Sequence, residues 1–215
     1  MPHPSLGPPY ANNHYSHHRI YSEFQHSLSE IRKQGSRSLS LSRVPSEDYY
    51  YPYDSLRRYF EDAPRLKNIL KALLPPAYFP FDERLLRRDY IKVFSILLGL
   101  KRGDAIVDFV GNDNFSDQHL PFNDPVAFAE LTRDKGLFNE FSEYQWRFCT
   151  PKLEGFDKRW EPRRILPFEV LQELGRGVNR TYLVKVDRAY NELRNESESE
   201  LKVSKHLPLL NQIMH

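Results

Sequence analysis

The spacing of apolar side chains between Tyr53 and Leu100 is the tightest constraint on the fold. Leu56, Tyr59 and Phe60, then Leu66, Ile69, Leu70, Leu73 and Leu74, recur at intervals of three and four, which gathers side chains on one face of an α-helix. Pro75 and Pro76 stop this run, because proline lacks the amide a helix needs and disfavours helix in the residue before it. After the loop PPAYFPFD, the pattern predicts a single longer helix over Glu83 to Leu100. Its apolar residues Leu85, Leu86, Ile91, Val93, Phe94, Ile96, Leu97 and Leu98 crowd towards the end, so its second half belongs in a core. Gly99 and Gly103, with the cations Lys101 and Arg102, predict its stop. A further helix is expected over Asp104 to Val110, and short helical or irregular pieces over Val126 to Leu131 and Leu137 to Trp146, with Tyr144 and Trp146 as core or interface aromatics.

Residues 1–48 read as a flexible tail, rich in histidine, serine and proline and without sustained periodicity. Arg19 to Lys33 departs from that pattern, because Ile20, Phe24, Leu28 and Ile31 fall on one face and predict a short docking helix. The cluster Ser36 to Arg43, SRSLSLSR, has arginines beside its serines and suits phosphorylation as an acceptor, although a polar linker explains it more simply. His14, His17 and His18 lack a nearby carboxylate to complete a metal site. In GNDNFSDQHLPFND, Asp113 and Asp117 do not follow the alternation of a calcium loop and are expected to cap and turn the chain.

The 215 residues carry 31 Lys and Arg against 29 Asp and Glu, and no basic stripe argues for nucleic acid. The single cysteine, Cys149, permits no internal disulfide and no zinc ribbon. No apolar stretch reaches the length of a bilayer span, and the start lacks the apolar centre of a secretory signal. The expectation is an intracellular protein, cytoplasmic or nuclear, with no membrane contact.

Four phrases, in order, resemble a group of fungal protein kinases that carry a helical segment before the kinase domain. They are DYIKVFSILLGL with KRGDAIVDFV (Asp89 to Val110), FSDQHLPF (Phe115 to Phe122), FSEYQWRFCTPKL (Phe141 to Leu153) and RRILPFEVLQELGRG (Arg163 to Gly177). The resemblance covers roughly residues 85 to 186. It implies a mainly α fold with a small α+β part: a helical region over 50–155, then a partial kinase N-lobe of two or three antiparallel strands over 163–215.

The resemblance also implies a glycine-rich loop, in which small residues let backbone amides approach ATP phosphates. Gly175 and Gly177 fit its first two glycines, with Val178 next, but Arg180 stands at the third and Tyr182 at the following valine. Deleting one position makes Val184 and Val186 strand residues and leaves the loop one residue short. A plain hairpin turn is the simpler reading of the same glycines. Lys202 is the candidate for the phosphate-holding lysine, yet it falls only a few residues before an expected helix whose glutamate position is taken by His206 and which Pro208 interrupts. Neither H-R-D-x-x-x-x-N nor D-F-G occurs, so ATP and magnesium enter only if a longer chain completes the kinase domain.

The expectation is therefore a kinase-derived, catalytically incomplete protein whose partner is another protein, a full-length kinase relative or a substrate of one. Two alternatives stand beside it. One is the N-terminal part of an active Ser/Thr-type kinase, and the other is a helical adaptor unrelated to phosphorylation.

Overall fold

The computed structural model describes residues 11–36, 48–153, 163–176, 179–192 and 200–206, and the chain divides into two compact units. The fold is mainly α with a small antiparallel β part, as the sequence pattern predicts. Among the described residues, no helix is long and apolar enough to cross a membrane.

The first unit, Met1–Arg32 with Tyr51–Phe148, is helical. Its α1 (Ala11–Ile31) buries Phe24 and Leu28, and Phe24 meets the Tyr59 ring edge-on at 5.4 Å. The expectation of a flexible tail does not hold for this stretch, and the helix begins well before Arg19. Its first turns are polar and give no period to read, but no proline or glycine stands between Ala11 and Ile31 to stop it. His17 Nε2 donates to the Ala72 carbonyl at 2.6 Å.

Helices α2 (Tyr53–Glu61) and α3 (Ala63–Leu73) follow the predicted run, burying Leu56 and Phe60, then Leu66, Ile69, Leu70 and Leu73. Asp62 separates them and caps α3 by accepting the Arg65 amide at 3.1 Å. The long helix expected over Glu83 to Leu100 is instead two, α4 (Glu83–Asp89) and α5 (Ile91–Gly99). They break at Tyr90, which is fully buried and has φ −134° and ψ 21°. A distant residue makes the break tolerable: Asp117 accepts the amides of Lys92 and Val93, each at 2.9 Å. The new helix end thus finds its cap from a turn later in the chain, and the expected capping role of Asp117 is realised.

From Ile91 to Leu98, every residue of α5 but Lys92 is buried, making it the central helix of the unit. Its glycine serves close approach: a Cβ on Gly99 would meet the Tyr144 ring at 2.4 Å. The left-handed residue after α5 is Lys101, φ 60°, whereas the sequence suggested a glycine. The expected helix over Asp104 to Val110 is a 3-10 turn at Gly103–Ala105 followed by α6 (Ile106–Phe109). Helices α7 (Pro125–Thr132) and α8 (Lys135–Tyr144) start on Asp124 and Asp134, each accepting two backbone amides. Asp134 also pairs with Arg102, which holds its carboxyl below the usual range.

Asp117 carries a pH signature. Burial pushes its carboxyl up to about 6, against the pull of the amide hydrogen bonds from Lys92 and Val93 and the charge of Lys92. A carboxyl held above its unfolded value binds its proton more tightly in the folded state, so stability declines as pH rises from about 4 to about 6 and is level above. Asp117→Asn keeps a capping oxygen but does not titrate. The stability of the wild type relative to this variant is expected to fall across that window, with a slope on the order of 1 kcal/mol per pH unit. Urea melts of both proteins from pH 4 to 7 check this, and a constant difference would contradict it.

The second unit is Lys33–Tyr50 with Cys149–His215, and its described residues are mostly strand. Strands β1 (Lys33–Gln34) and β2 (Tyr49–Tyr50) pair antiparallel. Strands β3 (Phe168–Arg176), β4 (Asn179–Val186) and β5 (Glu200–His206) form an antiparallel sheet in that order. Ser36 extends the unit by exchanging two backbone hydrogen bonds with Leu166, at 3.1 and 2.9 Å. The expected acceptor serines between Ser36 and Arg43 otherwise lie outside the described residues. Cys149 is buried and unbridged, and its carbonyl accepts from Arg164 at 3.2 Å.

Candidate functional site

The glycine hairpin is the site to which the sequence points, and β3 and β4 form it. Their register runs from Phe168 opposite Val186 to Arg176 opposite Arg180, with shifts between Val170 and Gln172 and between Glu173 and Gly175. Pairing therefore continues almost to the hairpin tip, where Gly177 and Val178 lie outside the described residues. Gly175 stands opposite Thr181. A Cβ added to Gly175 would meet nothing within 4 Å, so packing within the chain does not demand glycine here. Bare backbone under open space is what a ligand approaching an amide needs, but a glycine in a bulged hairpin strand looks the same.

Val184 does not line this space. It is fully buried and packs with Leu153, Leu166, Phe168, Tyr182 and Val186 as the core beneath the sheet. Val184, an expected cofactor-binding position, lies in the core because alternate residues of β4 face it.

Lys202 lies within β5, opposite Leu183, whereas Val184 is opposite Leu201. The sequence placed Lys202 too close to a helix for a normal strand, and the structure puts it inside one. Residues paired across antiparallel strands share a face, and neighbours along a strand alternate. By register, Lys202 therefore shares a face with Leu183, Thr181 and Gly175, while Val184 belongs to the other. The hairpin brings two of the expected cofactor-binding positions, Gly175 and Lys202, to one face and separates both from Val184. On β3, Leu171 and Leu174 are 39% and 42% exposed, large apolar groups left at the surface of a small sheet.

A second cluster in this unit had no signal in the sequence. Asp187, directly after β4, accepts from Lys33 Nζ and from the Tyr50 hydroxyl, each at 2.7 Å, and from the Ala189 amide at 3.2 Å. Although burial opposes it, the hydrogen bonds from Lys33 and Tyr50 hold its carboxyl below the usual range. Burial, followed by the neighbouring carboxylate, pushes the Tyr50 hydroxyl far above its ordinary value, so Tyr50 remains a donor at any physiological pH. A cavity of about 540 Å³ beside the cluster is lined by Lys33, Tyr50, Glu169, Lys185, Asp187 and Arg188. Its charges are mixed and Lys33 is already committed to Asp187, so the cluster ties β1 and β2 to the sheet.

Comparison with protein-family models, with curated proteins and with solved structures returned no match to this chain.

Proposed function

We propose that the chain is a kinase-derived, catalytically incomplete protein that acts by binding another protein, with β3–β4–β5 as its kinase-related part. The observation that supports this most is the order of elements in the sheet. An antiparallel hairpin carries Gly175, and the next strand carries Lys202 on the same face by register, the order in which kinases present the glycine loop and the phosphate-holding lysine. Incompleteness is supported by Arg180 at the third glycine position and by the place of Val184 in the core. The motive for a partner is physical. Among the described residues, β3 and β5 each pair along one edge only, and Leu171 and Leu174 stand exposed; an added strand or lobe would satisfy the open edges and cover the leucines.

Thermal unfolding in 1 mM Mg·ATP tests this. A site of 10 μM affinity would add about 2.7 kcal/mol at that concentration, and the expected result is no rise in Tm and no transfer of the γ-phosphate to a generic substrate. A rise in Tm that disappears in Lys202→Ala would exclude the helical adaptor unrelated to phosphorylation, and transfer of the γ-phosphate would overturn catalytic incompleteness. Such transfer would favour the second reading, an N-terminal part of an active fungal Ser/Thr-type kinase, which the strand position of Lys202 supports.

A further inference from the structure

The loop between α3 and α4 reads Pro75-Pro76-Ala77-Tyr78-Phe79-Pro80-Phe81, seven residues without a charge. It lies at the surface of the helical unit: Pro75, Pro76, Ala77, Tyr78 and Pro80 are exposed, and Phe79 and Phe81 are half-buried. Leu73 and Leu74 just before it are already in the core, each 4% exposed, so the connection itself does not call for further apolar residues. Tyr78 is 49% exposed, and its hydroxyl has no hydrogen-bond partner among the described residues. Water wets an aromatic ring and two prolines that a polar turn would replace at no cost to packing.

Backbone shape adds to composition. Leu74 is extended, with φ −100° and ψ 138°, and Pro75, with φ −56° and ψ 148°, is in the polyproline II region. Pro76–Tyr78 then make one 3-10 turn, held by the Tyr78 amide on the Pro75 carbonyl at 3.0 Å and the Phe79 amide on the Pro76 carbonyl at 3.1 Å. Two adjacent prolines, one free residue and a tyrosine form the pattern suited to a module with two neighbouring grooves. An aromatic-walled groove takes the prolines as polyproline II, whose ordering cost is already largely met, and the second groove takes the tyrosine ring. WW-type modules have this surface. An SH3 surface needs P-x-x-P, and the prolines at 75, 76 and 80 do not provide that spacing.

We propose that residues 75–78 are a docking site for a WW-type module of a partner protein. The site belongs to the helical unit and stands independently of the kinase-derived reading. Docking extends the polyproline II backbone from Pro75 through Tyr78, which opens the 3-10 turn; the two hydrogen bonds released are at the surface, where water replaces them.

The test titrates the full chain, and separately a synthetic peptide of residues 72–83, with a purified WW module that reads Pro-Pro-x-Tyr. The chain is expected to bind saturably and within about tenfold of the peptide, the difference being the population cost of opening the turn. Pro76→Ala and Tyr78→Ala should each weaken binding by more than about tenfold while leaving the thermal melt unchanged, since both side chains are exposed. Pro80→Ala, outside the four residues, should bind as the wild type does. Binding by the peptide but not the chain, failure of both, wild-type binding by Tyr78→Ala, or saturable binding to an SH3 module instead would each overturn the assignment.

Discussion

In Gln145→Leu, the helical unit is expected to unfold at about 3 kcal/mol lower free energy than in the wild type. Gln145 is 1% exposed. Its carboxamide reads both backbone groups of one residue: Oε1 accepts the Phe122 amide at 2.7 Å, and Nε2 donates to the Phe122 carbonyl at 3.0 Å and to the Ser142 carbonyl at 3.3 Å. Leucine fills the same space but leaves the Phe122 N–H and C=O unpaired where water does not reach, and each such group costs about 1–3 kcal/mol. Gln145→Glu separates the two halves of the clamp, because a carboxylate still accepts the amide but repels the carbonyl. It should fall between wild type and leucine at pH 7 and improve on acidification. Urea denaturation followed by circular dichroism measures all three, and a loss below about 1 kcal/mol for leucine would mean that water substitutes for the carboxamide.

The second large effect is expected at Phe109. Its ring lies 5.5 Å from Phe128, 6.1 Å from Phe141 and 6.4 Å from Phe122, centroid to centroid, stacked on the last two and edge-on to the first. Phe109→Ala therefore empties the middle of an aromatic cluster that cannot collapse without moving four other rings, Phe115 at 6.2 Å among them. The expected loss is about 4 kcal/mol. Phe109→Leu retains most of the volume and should lose about 1.5 kcal/mol. The same melts report both, and equal losses would show that the cluster tolerates the cavity and that ring geometry contributes little.

Much of the helical unit is legible in the sequence because its information is local. The three-and-four spacing of Leu56 to Leu74, the prolines that follow and the aspartates at helix starts each act within a few residues. What could not be read depends on partners far along the chain. The break at Tyr90 is invisible without Asp117, and the importance of Gln145 is invisible without Phe122. The phrases that carry the kinase resemblance are joined by these same bonds: Asp117 in FSDQHLPF caps the helix of DYIKVFSILLGL, and Gln145 in FSEYQWRF clamps the Phe122 that ends FSDQHLPF. Within the described residues, those bonds concern architecture. At the candidate site, the hairpin was legible from its glycines, whereas the faces were not, because register alone decides that Lys202 and Val184 part company. Lys33, Tyr50 and Asp187 meet from three separate stretches, and no local signal announces such a meeting.

The helical stretch enters and leaves its unit at one place. The Tyr51 amide donates to the Arg147 carbonyl at 2.8 Å, and the Tyr51 and Phe148 rings lie 4.8 Å apart, while the residues just outside, to Tyr50 and from Cys149, belong to the second unit. Residues 51–148 thus enter and leave the helical unit side by side, and Met1–Arg32 belongs to the same unit from an earlier part of the chain. Once these helices have folded, residues 51 and 148 are held together, and the entropy of closing so long a loop between them is already met.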